Sequence, residues 1–75
     1  MALPIFINRQ RYEAPSDEMT GLAILELAGF GADHDLFLLH GEGDPSGGLP
    51  IGLEQTVEVK AGQHYRAIPA NRNFG

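Results

Sequence analysis

The chain has 75 residues, enough for one small domain with a marginal core. It contains no cysteine, which excludes disulfide bonds, cysteine nucleophiles and thiolate metal sites. No stretch approaches the roughly 18 apolar residues of a membrane span, and the apolar N-terminus is too short and lacks the basic residues of a signal peptide. The composition therefore predicts a soluble, cytoplasmic protein that is held together by packing alone.

The net charge of −5 is unevenly distributed. All ten acidic residues lie between Glu13 and Glu58. The five basic residues lie outside this segment or at its edges: Arg9, Arg11, Lys60, Arg66 and Arg72. If the first and last strands are neighbours, the fold has a positive face beside the C-terminal residues. Because the protein is acidic overall, the sequence argues against nucleic acid as a partner.

The N-terminal third predicts a β-hairpin followed by a helix. Residues 4–8 and 11–14 show strand-like alternation, and residues 8–10 form the tight connection between them. A short helix is predicted from Met19 to Ala28, with Ser16 or Thr20 as its N-cap. Gly29 is the expected left-handed C-cap, and Phe30 is placed for the apolar contact that accompanies such a cap.

The remaining residues predict more strands. Residues 36–40 form an apolar run of strand length, residues 41–50 a solvated, mobile loop, and residues 53–59 a weak strand. Residues 64–68 form the last strand, with Tyr65 and Ala67 on one side. This order predicts an α+β fold of the ubiquitin-like β-grasp type, in which a mixed sheet of four to five strands packs on one helix. The domain is expected to span residues 1–69, with a flexible tail at 70–75.

Three stretches together resemble the bacterial multiubiquitin-type domains, ubiquitin-like proteins from conjugation operons. They are residues 20–29 (TG-x-x-IL-x-LAG), 35–38 (DLFL) and 57–69 (V-x-V-x-x-G-x-x-YRAIP). The resemblance covers essentially the whole chain. It implies a β-grasp fold and a modifier that is joined to targets through its terminal glycine. The chain departs from eukaryotic ubiquitin in ending in a single Gly75 after Phe74, not in two glycines.

A modifier of this kind is not an enzyme, and the resemblance implies partners that supply the catalysis. These are ubiquitin-activating-like and ubiquitin-conjugating-like enzymes, a deconjugating protease, and unknown protein targets. Gly75 would be adenylated, passed to a cysteine as a thioester and transferred to an amine. Arg72, Asn73 and Phe74 are expected to be gripped by these enzymes, since a guanidinium pairs well with acids and Phe74 can serve as an apolar anchor.

The exposed face of the sheet is a second candidate binding site. The prediction places Phe37 and Leu39 inward, which leaves Leu36, Leu38 and His40 on the partner-binding side. His64 and Arg66 of the neighbouring strand are expected to join them. The alternative is that both sides of this strand are mostly buried and no apolar patch exists.

Lys60 is the only lysine. Polymers linked through lysine can therefore use Lys60 alone, apart from the α-amino group. Free protein is expected to be monomeric. The sequence indicates no cofactor and no metal, because His34, His40 and His64 lack zinc-motif spacing, and residues 41–48 lack the ending of a phosphate-binding loop.

Two other functions on the same fold remain open. One is a sulfur carrier, in which the terminal glycine becomes a thiocarboxylate. The other is a β-grasp interaction module that is not conjugated.

Overall fold

The computed structural model of the protein describes residues 2–70. Within this range there are seven strands and one helix. In chain order they are β1 (Leu3–Ile7), β2 (Gln10–Ala14), β3 (Glu18–Thr20), α1 (Gly21–Leu27), β4 (His34–Leu39), β5 (Leu49–Ile51), β6 (Thr56–Glu58) and β7 (His64–Pro69).

Five of the strands form one mixed sheet in the order β2-β1-β7-β4-β5. β7 is the central strand and runs parallel to β1, and every other pair in this sheet is antiparallel. β3 and β6 form a separate two-stranded sheet. A five-stranded mixed sheet packed on one helix, with the last strand in the middle, is a β-grasp arrangement, and the predicted α+β fold class is confirmed.

The turn of the β1–β2 hairpin has two residues, Asn8 and Arg9, with φ angles of 53° and 68°. Positive φ at both positions is typical of the primed turns that match the twist of a hairpin, and asparagine tolerates it better than most residues. The Asn8 side chain also donates a hydrogen bond to the Ala67 carbonyl at 3.0 Å and accepts one from the Ala67 N–H at 2.9 Å. The turn is thereby attached to β7.

The helix begins later than predicted, at Gly21. Thr20 is the N-cap, and its hydroxyl accepts a hydrogen bond from the Ala23 N–H at 3.1 Å. Met19 and Thr20 are not helical because they pair with Val57 and Thr56 in the small sheet. A helix leaves its first N–H groups without partners inside the helix, so these tertiary contacts decide where it starts.

The helix ends at Leu27, one residue before the predicted Ala28, and the predicted C-cap chemistry is present. Gly29 has a φ of 84°, and its N–H donates to the Glu26 carbonyl at 3.0 Å. The N–H of Phe30 donates to the Leu25 carbonyl at 2.9 Å, and the Phe30 ring packs against the core. These are the two hydrogen bonds and the apolar contact of a Schellman motif.

The core lies between the inner face of the sheet and the helix. Its fully buried side chains are Ile5, Ile7, Ile24, Leu25, Leu36, Val59 and Tyr65. Among residues 2–70, no charged residue is buried. The Tyr65 hydroxyl donates to Gln63 Oε1 at 2.6 Å, and burial raises the pKa of Tyr65 to about 12.

The loop predicted from Gly41 to Pro50 ends earlier in the structure than predicted. Leu49–Ile51 forms β5, in which Leu49 pairs with Leu38 and Ile51 pairs with Leu36. The weakly alternating segment 53–59 contributes β6, which lies outside the five-stranded sheet. Proline is tolerated in this three-residue strand because the strand lies at the edge of the sheet and is paired on one side only. Local sequence does not reveal that the strand lies at an edge.

Candidate functional site

The helix covers one face of the sheet, and the opposite face, here called the outer face, is the candidate surface. Strand register decides which side chains lie on it, since directly paired residues share a face. In β7 the predicted alternation is confirmed: Tyr65 and Ala67 are buried, and Arg66 is exposed. The described outer-face residues of the four longer strands are Pro4, Phe6, Arg11, Glu13, Asp35, Phe37, Leu39, His64, Arg66 and Ile68.

The predicted orientation of β4 is wrong. Leu36 is only 1% exposed and belongs to the core, and Leu38 packs against the core. Their partners across the β4–β7 ladder are Ala67 and Tyr65, both buried, so this face must point inward. Leu36 therefore has no surface to offer a partner, and Leu38 has little.

Phe37 and Leu39 take the outer positions, half-exposed, opposite Arg66 and His64. His40 lies just beyond the end of β4, with its side chain 91% exposed. Of the predicted sheet-face residues, the structure thus keeps His64, Arg66 and His40 at the surface. Phe6, Phe37 and Leu39 are the residues that sequence reasoning missed. The alternation in β7 was a partial signal. It assigned Tyr65 to one face of the sheet, but it did not show which β4 residue pairs with Tyr65.

An apolar patch occupies the centre of the outer face. The rings of Phe6 and His64 stack with centroids 4.7 Å apart and an angle of 10° between planes. Leu39 is paired with His64 from the other side. We call Phe6, Phe37, Leu39 and His64 the outer patch. Side chains of this kind, half-exposed and adjacent, are a feature of surfaces that bind proteins.

The arginines of this face differ in their contacts. Arg11 is paired with Glu13, its Nη2 lying 2.9 Å and its Nε 3.0 Å from Oε2. Arg66 forms no ion pair with any of residues 2–70. Because both groups of the Arg11–Glu13 pair are exposed, it adds little to stability. Arg66 is the cation of the face that remains available to a ligand.

A cavity of about 420 Å³ opens at one end of the outer patch. It lies between the hairpin turn, the beginning of β7 and the loop that follows β4. Arg9, Leu39, Glu42, His64 and Arg66 contribute to its lining. Its volume falls in the range of clefts that bind small molecules.

Asp44 organises the loop that forms one wall of the cavity. Its carboxylate accepts hydrogen bonds from the His40 N–H (2.9 Å), the Ser46 N–H (2.9 Å) and the Ser46 hydroxyl (2.8 Å). The loop folds over this carboxylate, whose side chain is only 5% exposed. These hydrogen bonds, led by that from the His40 N–H, hold the pKa of Asp44 well below its usual value of 3.8.

Replacing Asp44 with alanine is expected to open the loop, because the His40 and Ser46 amides lose their shared acceptor. Amide hydrogen exchange at these two positions should accelerate by at least about tenfold, as for loss of a hydrogen bond to a charged acceptor. Since the pKa of Asp44 is lowered by folding, its stabilisation is present above about pH 4 and is lost as the pH falls further. Wild-type exchange should approach that of the variant in acid.

The exposed residue Glu42 supplies the matched control. Glu42→Ala removes an acid from the same loop, but no hydrogen bond within residues 2–70 depends on it. The role of Asp44 is contradicted if Glu42→Ala accelerates exchange at His40 and Ser46 as much as Asp44→Ala does.

Lys60 precedes β7, and Ala70, the last described residue, follows it. Lys60 lies in the turn before β7, and its side chain is 68% exposed, with Nζ 4.0 Å from Glu58. At the other end, the Ala70 N–H donates to the Asp33 carbonyl at 2.8 Å, which extends the β4–β7 ladder by one step. The predicted docking and conjugation residues Arg72, Asn73, Phe74 and Gly75 lie outside the described residues.

The histidines occupy separate places. The His34 ring lies 4.6 Å from the Phe30 ring, and its Nδ1 is 2.9 Å from an Asp33 carboxylate oxygen. His40 lies beside Asp44, and His64 is part of the outer patch. No three His, Cys, Asp or Glu side chains of residues 2–70 are grouped so as to hold a metal ion. No helix in the same range has the length and apolar content to cross a lipid bilayer.

The fold and the outer face together define a small α+β domain that presents one side of its sheet to solvent. Comparison of the chain with protein-family models, curated proteins and solved structures found no match.

Proposed function

We propose that the protein is a ubiquitin-like modifier of the bacterial multiubiquitin type. Its Gly75 carboxyl group would be activated by an adenylating enzyme, passed to a cysteine of a conjugating enzyme and transferred to a target amine. Such a protein would act in the cytoplasm, and a protease would remove it from its targets. The observation that carries the proposal is the β-grasp sheet, in which the strand preceding the tail is the central one.

The position of β7 in the sheet supports this proposal, because β7 is held by a neighbouring strand on each side. β7 pairs with β1 on one side and β4 on the other, and its inward side chains are buried. A tail that follows a strand held on both sides starts from a fixed point at the surface. An enzyme can therefore dock on the folded domain and reach the residues after Pro69 without unfolding it.

The described residues also offer a binding surface. The outer patch and Arg66 are available on one side of the sheet, and His40 is exposed beyond the end of β4. The activating enzyme, the conjugating enzyme and the protease each need to recognise the modifier, and in this proposal they supply every catalytic group. The domain contributes recognition and one reactive carboxylate.

Lys60 gives the proposal a consequence for polymers. It is the only lysine of the sequence, and its side chain is 68% exposed in the turn before β7. Polymers linked through lysine would therefore carry every bond at Lys60, apart from bonds to the α-amino group.

The test uses purified protein ending at Gly75, a candidate activating enzyme and ATP. We expect an enzyme-bound adduct that reducing agent releases, and no adduct with a variant that lacks Gly75. Because Gly75 follows the described domain, the variant should keep the wild-type unfolding temperature.

Other outcomes favour the other two functions. A mass change equal to the exchange of one oxygen for sulfur would identify a sulfur carrier. Retention of a partner by the variant lacking Gly75, with no covalent product from either protein, would identify an interaction module and overturn the proposal.

A further inference from the structure

The hairpin strand β2 forms one edge of the five-stranded sheet. It pairs with β1 on one side, and within residues 2–70 no strand pairs with its other side. The opposite edge of the sheet, β5, has three residues and includes Pro50, which has no N–H to donate. β2 has five residues, Gln10–Ala14, and contains no proline. β2 is therefore the edge of this sheet that is open to a further strand.

The hydrogen bonds of β1 show which backbone groups β2 presents at its open edge. The Phe6 N–H donates to a carbonyl of the turn before β7 at 2.9 Å, and the Pro4 carbonyl accepts from an N–H of that turn at 2.7 Å. The backbone groups of Phe6 and Pro4 thus point away from β2. In an antiparallel ladder, two opposite residues either bond to each other or both point outward. Arg11 and Glu13, the partners of Phe6 and Pro4, therefore direct their N–H and C=O groups to the open edge, where no other group of residues 2–70 bonds to them.

The spacing of these two residues makes the edge complementary to a second copy of itself. If two β2 strands run antiparallel about a two-fold axis at Tyr12, Arg11 of each copy lies opposite Glu13 of the other. Both members of each pair have free backbone groups, so they can exchange both of their hydrogen bonds. A shift of one residue would set a free residue opposite one already bonded to β1. A shift of two residues would set Arg11 opposite Arg11, or Glu13 opposite Glu13, which is unfavourable.

The side chains agree with the same register. Arg11 and Glu13 lie on the outer face, 63% and 51% exposed, with Nη2 of Arg11 2.9 Å from Oε2 of Glu13 in the same chain. In the paired edge each carboxylate would lie between an arginine of its own strand and one of the second copy. Tyr12 lies on the other face, opposite Ile5, and packs against the core. At the axis the two Tyr12 side chains would be neighbours at a position without hydrogen bonds, where side chains of opposite strands come closest.

We propose that β2 pairs with β2 of a second copy of this chain in the register centred on Tyr12, which joins two five-stranded sheets into one continuous sheet. Backbone hydrogen bonds supply the contact, and the Arg11–Glu13 pairs select the register and the partner. The interface is small, so the dissociation constant is about 0.1–1 mM and the protein is a monomer in dilute solution. The proposal uses neither Gly75 nor the outer patch, and it goes beyond conjugation.

The test is an NMR dilution series of the labelled full chain, with sedimentation equilibrium at the same concentrations. The series runs from about 10 µM to about 2 mM, which brackets the expected dissociation constant. The mass should rise toward that of two chains. The N–H groups of Arg11 and Glu13 should shift and become protected from exchange. The N–H of Tyr12, which already points to β1, should change less.

Charge reversal tests the register. Arg11→Glu alone and Glu13→Arg alone each place like charges opposite one another in the homodimer, so each should weaken self-association by at least about tenfold. An equimolar mixture of the two variants places opposite charges at both positions and should associate about as strongly as wild type. Arg66→Glu is the matched control, because it changes the net charge by the same amount on β7, which is separated from β2 by β1. It should alter self-association by less than about twofold.

The proposal is overturned by a monomeric mass up to about 2 mM, by concentration-dependent shifts centred on the outer patch in place of β2, or by a mixture that associates no better than either variant alone. It is also overturned if Arg66→Glu weakens self-association as much as Arg11→Glu, since overall charge would then decide the outcome. Equal unfolding temperatures would show that the variants are folded. Deletion of Gly75 should leave the dimer unchanged, which separates this proposal from conjugation.

Discussion

Replacing Gly21 with alanine is expected to destabilise the domain by about 1–3 kcal/mol, the usual range for a side chain forced into packed surroundings. A Cβ at this position would overlap the Gly52 carbonyl oxygen and would lie 3.1 Å from both the Gly52 carbonyl carbon and Ile51 Cγ2. The backbone cannot easily move away, because the Gly52 carbonyl accepts a hydrogen bond from the Gln55 N–H.

The same position holds the helix to its neighbours. The Gly21 N–H donates to the Gln55 carbonyl at 3.1 Å, and the Leu22 N–H donates to the Leu53 carbonyl at 2.9 Å. Any shift that relieves the overlap therefore weakens the contact that starts the helix. Alanine is a better helix former than glycine by about 1 kcal/mol, so a net loss would mean that the overlap dominates.

The measurement is the thermal unfolding midpoint, which should fall by about 4–8 °C for each kcal/mol in a domain of this size. Gly41→Ala is the matched control, because a Cβ there meets no atom within 4 Å. It should change stability by no more than about 0.5 kcal/mol. The packing account fails if Gly21→Ala unfolds at or above the wild-type temperature.

Replacing Asn8 with alanine is expected to destabilise the domain by about 2–4 kcal/mol. The variant loses both hydrogen bonds between the Asn8 side chain and Ala67, each worth about 1 kcal/mol net. It also places alanine at a φ of 53°, a left-handed conformation that costs about 1–2 kcal/mol. The Ala67 N–H and carbonyl groups are left without these partners in a part-buried position.

Asn8→Gly separates the two causes, since glycine accepts the left-handed conformation but cannot bond to Ala67. It should lose about 2 kcal/mol, less than the alanine variant. Chemical denaturation gives the free energy of unfolding, and hydrogen exchange of the Ala67 N–H reports the lost bond directly. If Asn8→Gly is as stable as wild type and Ala67 remains protected, the attachment between the turn and β7 does not stabilise the fold.

The sequence was sufficient wherever local chemistry decides structure. The connection after β1 and the C-cap at Gly29 were predicted, because each depends on positive φ angles, which asparagine and glycine adopt more readily than other residues. The predicted connection was one residue too long, since Gln10 already belongs to β2. The alternation of Tyr65 and Arg66 was also readable, since one side of β7 is apolar and the other is charged. The fold class followed from the order of such elements.

The orientation of β4 does not follow from its sequence pattern. Leu36, Phe37, Leu38 and Leu39 are all apolar, so the two-residue period of a strand does not distinguish the buried face from the exposed one. Only the ladder with β7, which pairs Leu36 with Ala67, makes the choice. The candidate site was affected directly, because two predicted contacts moved to the core side and two core residues moved to the surface.

The loop after β4 shows the same limit for polar residues. Its glycines and acids predicted a mobile segment, yet Asp44 gathers His40 and Ser46 around one carboxylate and creates a wall of the cavity. Asparagine and aspartate side chains form such local bonds in many conformations, and the sequence does not say which one the neighbouring strands allow.

The amino-acid sequence by itself determined a small cysteine-free α+β domain, its hairpin turn, the end of its helix and its single lysine. These features depend on composition or on residues adjacent in the chain. The tertiary structure alone decided which face of β4 is exposed, where the helix starts, and that Arg9 and Arg66 share one cavity. The physical reason is that each of these results from pairing between strands far apart in sequence, whose register is set by packing of the whole core.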